Sequence, residues 1–144
     1  MSIVMEIFNN RILISAAAAW LTAQVLKTII HMILNKAFVA ERLVGTGGMP
    51  SSHSAAVVST MTSVGLILGF DSIPFAISLG FAFIVMYDAA GLRRSAGQMA
   101  AQLNMLVDSL YEQRPHNFRD KLIELLGHTP LEVSMGALLG IAVS

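Results

Sequence analysis

An all-α fold is predicted: a small helical membrane bundle with three to four apolar helices and an amphipathic helical insertion. Three observations carry this. Hydrophobic residues make up 55% of the 144-residue chain and charged residues only 12%, with a mean hydropathy of +0.69. A soluble domain carries about 25% charge, so this chain cannot cover itself with a wetted surface. Apolar runs long enough for a bilayer core recur, separated by short polar turns. Between the third run and the last lies a charged stretch with an amphipathic pattern. The length is that of one domain, spanning 1–144. Zero net charge gives no general attraction to nucleic acid, and the lack of cysteine excludes disulfides and thiolate metal sites.

The first apolar run, residues 12–34 (ILISAAAAWLTAQVLKTIIHMIL), exceeds the length of a secretory h-region and reads as a retained spanning helix. Its second half carries Gln24, Lys27 and His31 at i, i+3 and i+7, one face of a helix. Ionisable groups at membrane depth usually face a protein interior or a wet cavity. Snorkelling of Lys27 to the interface is the competing account. A polar loop over 35–48 follows, with Lys36, Glu41, Arg42 and three glycines. The second helix starts near Pro50 and runs to about Gly69, with Ser and Thr interleaved as in packed membrane helices. Asp71 and Pro74 mark a short turn into a third helix, roughly 74–92. So short a turn makes the two antiparallel neighbours. The mouth of helix two and the end of helix three then share a side with the end of helix one. Residues 93–125 are expected to form an amphipathic helix to about Glu112, a break at Arg114-Pro115 and a second short helix, lying on the membrane surface or over the loops. The last helix begins after Pro130; its 14 or so residues give about 21 Å, too short for a full span, so it should pack inside the bundle.

Two histidines stand at helix mouths. His53 lies in GGMPSSHSA. Pro50 suits a first helical turn, Ser51 or Ser52 can cap it, and the unpaired N–H groups of a helix start accept an oxyanion. An ordinary serine-capped helix with a bystander histidine fits the same letters. His128 lies in GHTPLEV, where Thr129 and Glu132 form a possible capping box. Glu132 is also four residues from His128, where a carboxylate can hold Nδ1–H and leave Nε2 free to attack. Lys27, Arg42, Arg93 and Arg94 are expected on the same side. Cations on the oxygens, a nucleophile and an acid at the leaving oxygen are what phosphoryl transfer requires. A metal site is disfavoured, since the histidine spacing matches neither H-x3-H nor H-E-x-x-H.

These segments resemble a known superfamily. PSSH at 50–53 resembles the P-S-G-H motif of type 2 phosphatidic acid phosphatases and vanadium-dependent haloperoxidases. GHTPLEVSMGALLG at 127–140 is similar to their H-x3-D-V-x-x-G segment. GGMPSSHSA, YDAAGLRR and GHTPLEV, at 47–55, 87–94 and 127–133, resemble the divergent branch of that superfamily. The resemblance implies His128 as nucleophile, Glu132 as its orienter and His53 as acid to the leaving group. It implies phosphate binding by Ser51, Ser52, Lys27 and Arg93 or Arg94, with Arg42 in place of a missing arginine of the first motif. Asp88 is a supporting candidate, paired with Lys27 or an arginine, or simply bridging helices three and one. The chain departs from the wider pattern at Ser52 (usually Gly), at Glu132 (usually Asp) and in the long insertion 95–127.

The expected function is a membrane phosphatase acting on a phosphomonoester or pyrophosphate, on a lipid, an isoprenoid or a small molecule, through a phosphohistidine and without a cofactor. The alternative is a non-catalytic protein that binds anions or lipid headgroups with the same cradle. A vanadate-dependent peroxidase ranks lower. Expected partners are the membrane and the phosphorylated substrate; the short last helix and small-residue faces point to a homodimer. The cell (inner) membrane is the expected location. Lys36, Arg42, Arg93, Arg94, Arg114, Arg119 and Lys121 fall on the site side against Arg11 on the other, which places the site in the cytoplasm.

Overall fold

The computed structural model describes residues 2–36, 48–111 and 128–144. Within them lie six helices: α1 (Ile3–Phe8), α2 (Arg11–Asn35), α3 (Ser52–Leu68), α4 (Ile73–Ala90), α5 (Leu92–Tyr111) and α6 (Pro130–Val143). The described residues contain no strand. The predicted helical membrane bundle is the fold observed. The six-residue α1 is an addition, a short amphiphilic turn before the first span. The second short helix expected after Arg114, and most of the 35–48 loop, lie outside the described residues.

Each apolar helix starts where the local chemistry dictates. The Asn10 side chain accepts the Ile12 and Leu13 N–H groups at the start of α2. Ser51, not Pro50, caps α3; the proline precedes the cap, so its fixed φ is spent on the approach and not on the first turn. Ser72 caps α4, with Pro74 in the first turn. Thr129 and Glu132 form the reciprocal capping box of α6.

The centre of the bundle is the pair α3 and α6, with α2 and α4 packed on its flanks. Small residues make this possible. Ala19 and Ala23 of α2 meet Ala55 of α3, closed by Leu139 and Val143 of α6. Gly140 packs against the α3 backbone so closely that a Cβ there would lie 2.5 Å from the Ala55 carbonyl oxygen. Such contacts are how membrane helices associate, since lipid offers no hydrophobic force between them. Hydroxyls reinforce the α2–α3 seam: the Ser15 and Ser59 oxygens are 2.6 Å apart, and Ser63 donates to Ser15 at 3.0 Å.

The outer surface is lipid-like. α4 buries only Ala82 and Ala89 and exposes Ile77, Phe81, Phe83 and Ile84. A helix that is apolar all round yet barely covered by protein is a membrane helix. Arg11–Leu34 and Ile73–Ala90 are long and apolar enough to cross. The amphipathic expectation for α5 holds: Met99, Leu103 and Leu106 form an exposed stripe, while Asn104 is buried.

Candidate site at the convergence of three helix ends

The start of α3, the end of α4 and the start of α6 are tied together by backbone. The Ser51 N–H donates to the Glu132 carbonyl oxygen at 3.0 Å, and the His128 N–H donates to the Ala89 carbonyl oxygen at 3.1 Å. Residues 81 and 39 positions apart in sequence are thus neighbours. These two bonds fix where the histidine side chains emerge.

His53 and His128 face each other, ring centroids 6.3 Å apart and planes inclined at 62°. His128 is 4% exposed. Its Nδ1 lies 3.3 Å from Glu132 Oε2. That same oxygen accepts the Thr129 N–H at 2.9 Å, and Thr129 Oγ1 accepts the Glu132 N–H at 3.3 Å. The capping and orienting roles of Glu132 are therefore not rivals. One carboxylate closes the helix start and presents an oxygen to Nδ1, so a single side chain both caps α6 and orients the imidazole.

The serines sit behind this pair. Ser51 is fully buried, and its Oγ accepts from the Ser54 N–H at 3.4 Å and the Ser54 hydroxyl at 3.1 Å. Ser52 is buried beside it. Lys27 reaches the same end of the bundle from α2 and is 3% exposed. Gly48 crosses its stem: with φ of +87°, a Cβ at 48 would lie 3.3 Å from Lys27 Cγ. Glycine meets both demands, the left-handed φ and the close approach. Gln24 is buried one turn deeper, and His31 is half-buried one turn nearer the mouth. The polar face of the first span thus turns inward, and Lys27 does not snorkel.

Asp88 is half-buried next to Ala89, the residue whose carbonyl holds His128. Arg93 and Arg94 fall in the first turn of α5, on the side where α4 ends; their side chains, like the whole of Arg42, lie outside the described residues. Among the described residues no three His, Asp or Glu side chains gather as a metal-ligand set.

Two participants escape a sequence reading. Ser54 holds Ser51, and the serine three residues on was the available signal. Gly136 packs under the Ser51 carbonyl, where any Cβ would clash. Its position in the G-x3-G of α6 was a weaker signal, since such spacing also serves helix contacts elsewhere.

An all-helical membrane bundle carrying PSSH and GHTPLEV at facing helix starts is the architecture of a PAP2-like membrane protein. The chain belongs to the divergent PAP2 family, whose model matches residues 8–143. It is 43% identical over 150 residues to the uncharacterized membrane protein YuiD of Bacillus subtilis (strain 168), a match covering 97% of this chain and 95% of that one. No solved structure matches the chain.

Proposed function

We propose that this protein is a membrane phosphatase that hydrolyses a phosphomonoester or pyrophosphate through a phosphohistidine. The observation that carries the reading is the facing pair His53 and His128 with Glu132 on one side of it. His128 Nε2 attacks phosphorus, and the bond to the leaving oxygen breaks. His53 gives that oxygen its proton. Water, deprotonated by His53, then attacks phosphorus and frees His128 and inorganic phosphate. Glu132 steadies the imidazolium character of His128 during attack. Lys27, the Ser51–Ser52 segment and Arg93 or Arg94 hold the equatorial oxygens, where negative charge accumulates. Arg42 supplies a further cation. Phosphate release that vanishes in both His128→Ala and His53→Ala supports the reading; release that persists in both sinks it.

One observation favours a second reading. Ser52 is buried where the wider superfamily has glycine, so a Cβ narrows the cradle. A binding protein without turnover then predicts vanadate or phosphate binding and no hydrolysis.

The site is proposed to face the cytoplasm from the cell (inner) membrane, as the positive-inside asymmetry indicates. A homodimer joined through small-residue helix faces is proposed on composition alone.

A further inference from the structure

With 20 residues α5 is long enough to cross a bilayer, but Arg93, Arg94, Gln98, Gln102, Asn104 and Asp108 make it too polar to do so. It follows α4 after the single residue Gly91 and, among the described helices, meets only α4. A turn of about 100° per residue divides α5 into three faces. Gly97 and Asn104 are buried and Ala101 is half-buried between them, so this face is covered by protein. Met99, Leu103 and Leu106 are 62%, 49% and 55% exposed on nearly the opposite side. Ser95, Gln98, Gln102 and Ser109 are exposed on a third face that adjoins the apolar one. Met105 is an isolated exposed side chain between the polar and covered faces, as surfaces ordinarily carry.

A helix with a protein face, an apolar face and a wet face suits the plane of a membrane interface. The end of α4 says what meets the apolar face. Phe83, Ile84 and Tyr87 of that span are 65%, 68% and 80% exposed, so lipid covers it. Tyr87 stands one turn from its end, and exposed tyrosine at a span end marks headgroup depth. α5 starts at Leu92, so it leaves α4 at that depth, and its apolar face continues a surface already in contact with lipid. A second copy of the chain fits less well. Three side chains along about 10 Å of helix fall far short of the roughly 800 Å² per partner of a stable interface.

We propose that α5 is a lipid-seated arm: Met99, Leu103 and Leu106 lie at the headgroup–acyl boundary beside α4, and this seating fixes the position of the first turn, which carries Arg93 and Arg94. The second half rests on the phosphate reading of the site above; the seating does not. α5 runs unbroken from Leu92 to Tyr111, so lipid that holds Leu103 also sets the angle of the helix at Gly91. The Gly91 N–H donates to the Tyr87 carbonyl oxygen at 2.9 Å, and two residues earlier the Ala89 carbonyl oxygen accepts the His128 N–H. The junction of α4 and α5 thus stands on the backbone that holds His128.

The chain has no cysteine, so single nitroxide-labelled cysteines report depth in lipid nanodiscs. Labels at Met99, Leu103 and Leu106 should collide with oxygen, which concentrates in lipid, several-fold more than with a water-soluble nickel chelate. Labels at Gln98 and Gln102 should show the reverse. Leu103→Glu should turn the label at Leu106 toward the nickel chelate and weaken orthovanadate binding about tenfold. Leu103→Gln, the milder change, is read beside it. Gln102→Glu puts the same charge on the wet face and should alter neither reading. Labels on the apolar face that favour the nickel chelate, or that are shielded from both reagents, overturn the proposal. Dipolar coupling between such labels on two copies makes the face a protein interface and also overturns it. An unchanged orthovanadate affinity in a folded Leu103 variant whose Leu106 label has moved overturns the link to the arginines. Oxygen-facing labels on a wild type that binds no orthovanadate would refute the phosphate reading and leave the seating standing.

Discussion

Glu132 carries two bonds on one oxygen, to the Thr129 N–H and to His128 Nδ1. The two duties separate by substitution. Glutamine still accepts at a capping-box N3 position, so Glu132→Gln should fold with a thermal midpoint near wild type. It loses the charge that steadies the imidazolium, and phosphate release should fall by about 100-fold or more. A purely structural Glu132 would leave release unchanged in the folded variant. For the acid, His53→Ala should cost about 10²–10⁴ in kcat with an ordinary leaving group. With a nitrophenolate leaving group, which departs without a proton, the loss should shrink toward tenfold. An equal loss with both substrates would remove His53 from the acid role. Gly48→Ala introduces a strained φ and crowds the Lys27 stem. It should weaken phosphate or vanadate binding while leaving the helical content intact.

At the scale of the element, α6 is held by what its glycines lack. Gly136 lies under the Ser51 carbonyl, and Gly140 lies against Ala55, Val58 and Ser59. Gly140→Ala gains helix propensity of up to about 1 kcal/mol. It also forces backbone apart, and overpacking of this kind costs roughly 1–3 kcal/mol, so the clash wins. The thermal midpoint in detergent should drop. Gly80→Ala in α4 is the matched control: nothing lies within 4 Å of its added Cβ, so it should be neutral or stabilising. A drop of equal size at both positions would refute close α3–α6 packing as the cause. The hydroxyls of Ser15, Ser59 and Ser63 contribute less. Interhelical hydrogen bonds in membranes average about 0.6 kcal/mol, so Ser59→Ala should shift unfolding by under about 1.7 kcal/mol.

The whole molecule sets the depth of the site. α2 has 25 residues, whereas α3 has 17 and α6 has 14. The two central helices span about 25 and 21 Å, less than a bilayer core of about 30 Å. From Lys27 to Asn35, α2 rises a further 12 Å or about two turns beyond the level of the lysine. The candidate site is recessed below the end of the first span, within reach of headgroup depth. The cysteine-free chain suits labelling. Single cysteines at Lys36 should react with an impermeant maleimide only after the cytoplasmic side is opened, and those at Asp71 and Ser144 from outside. The reverse pattern would overturn the cytoplasmic placement and keep the fold.

Local chemistry was readable in the letters because it acts within a turn or two. Apolar run length identified the spans, the spacing of Gln24, Lys27 and His31 put them on one face of α2 while leaving burial and snorkelling as rivals, and Thr129 with Glu132 marked a helix start. Quoted motifs placed the chain beside the PAP2-like proteins. What the letters could not supply was convergence. His53 and His128 are 75 residues apart, and they meet because α3 and α6 touch backbone to backbone at Gly136 and Gly140. The Ala89 carbonyl that accepts the His128 N–H and the Glu132 carbonyl that accepts the Ser51 N–H are likewise brought up by distant parts of the chain. A pattern of neighbours determines helices and their caps. Only the packing of helices far apart in the chain decides which caps face one another, and hence where the two imidazoles meet.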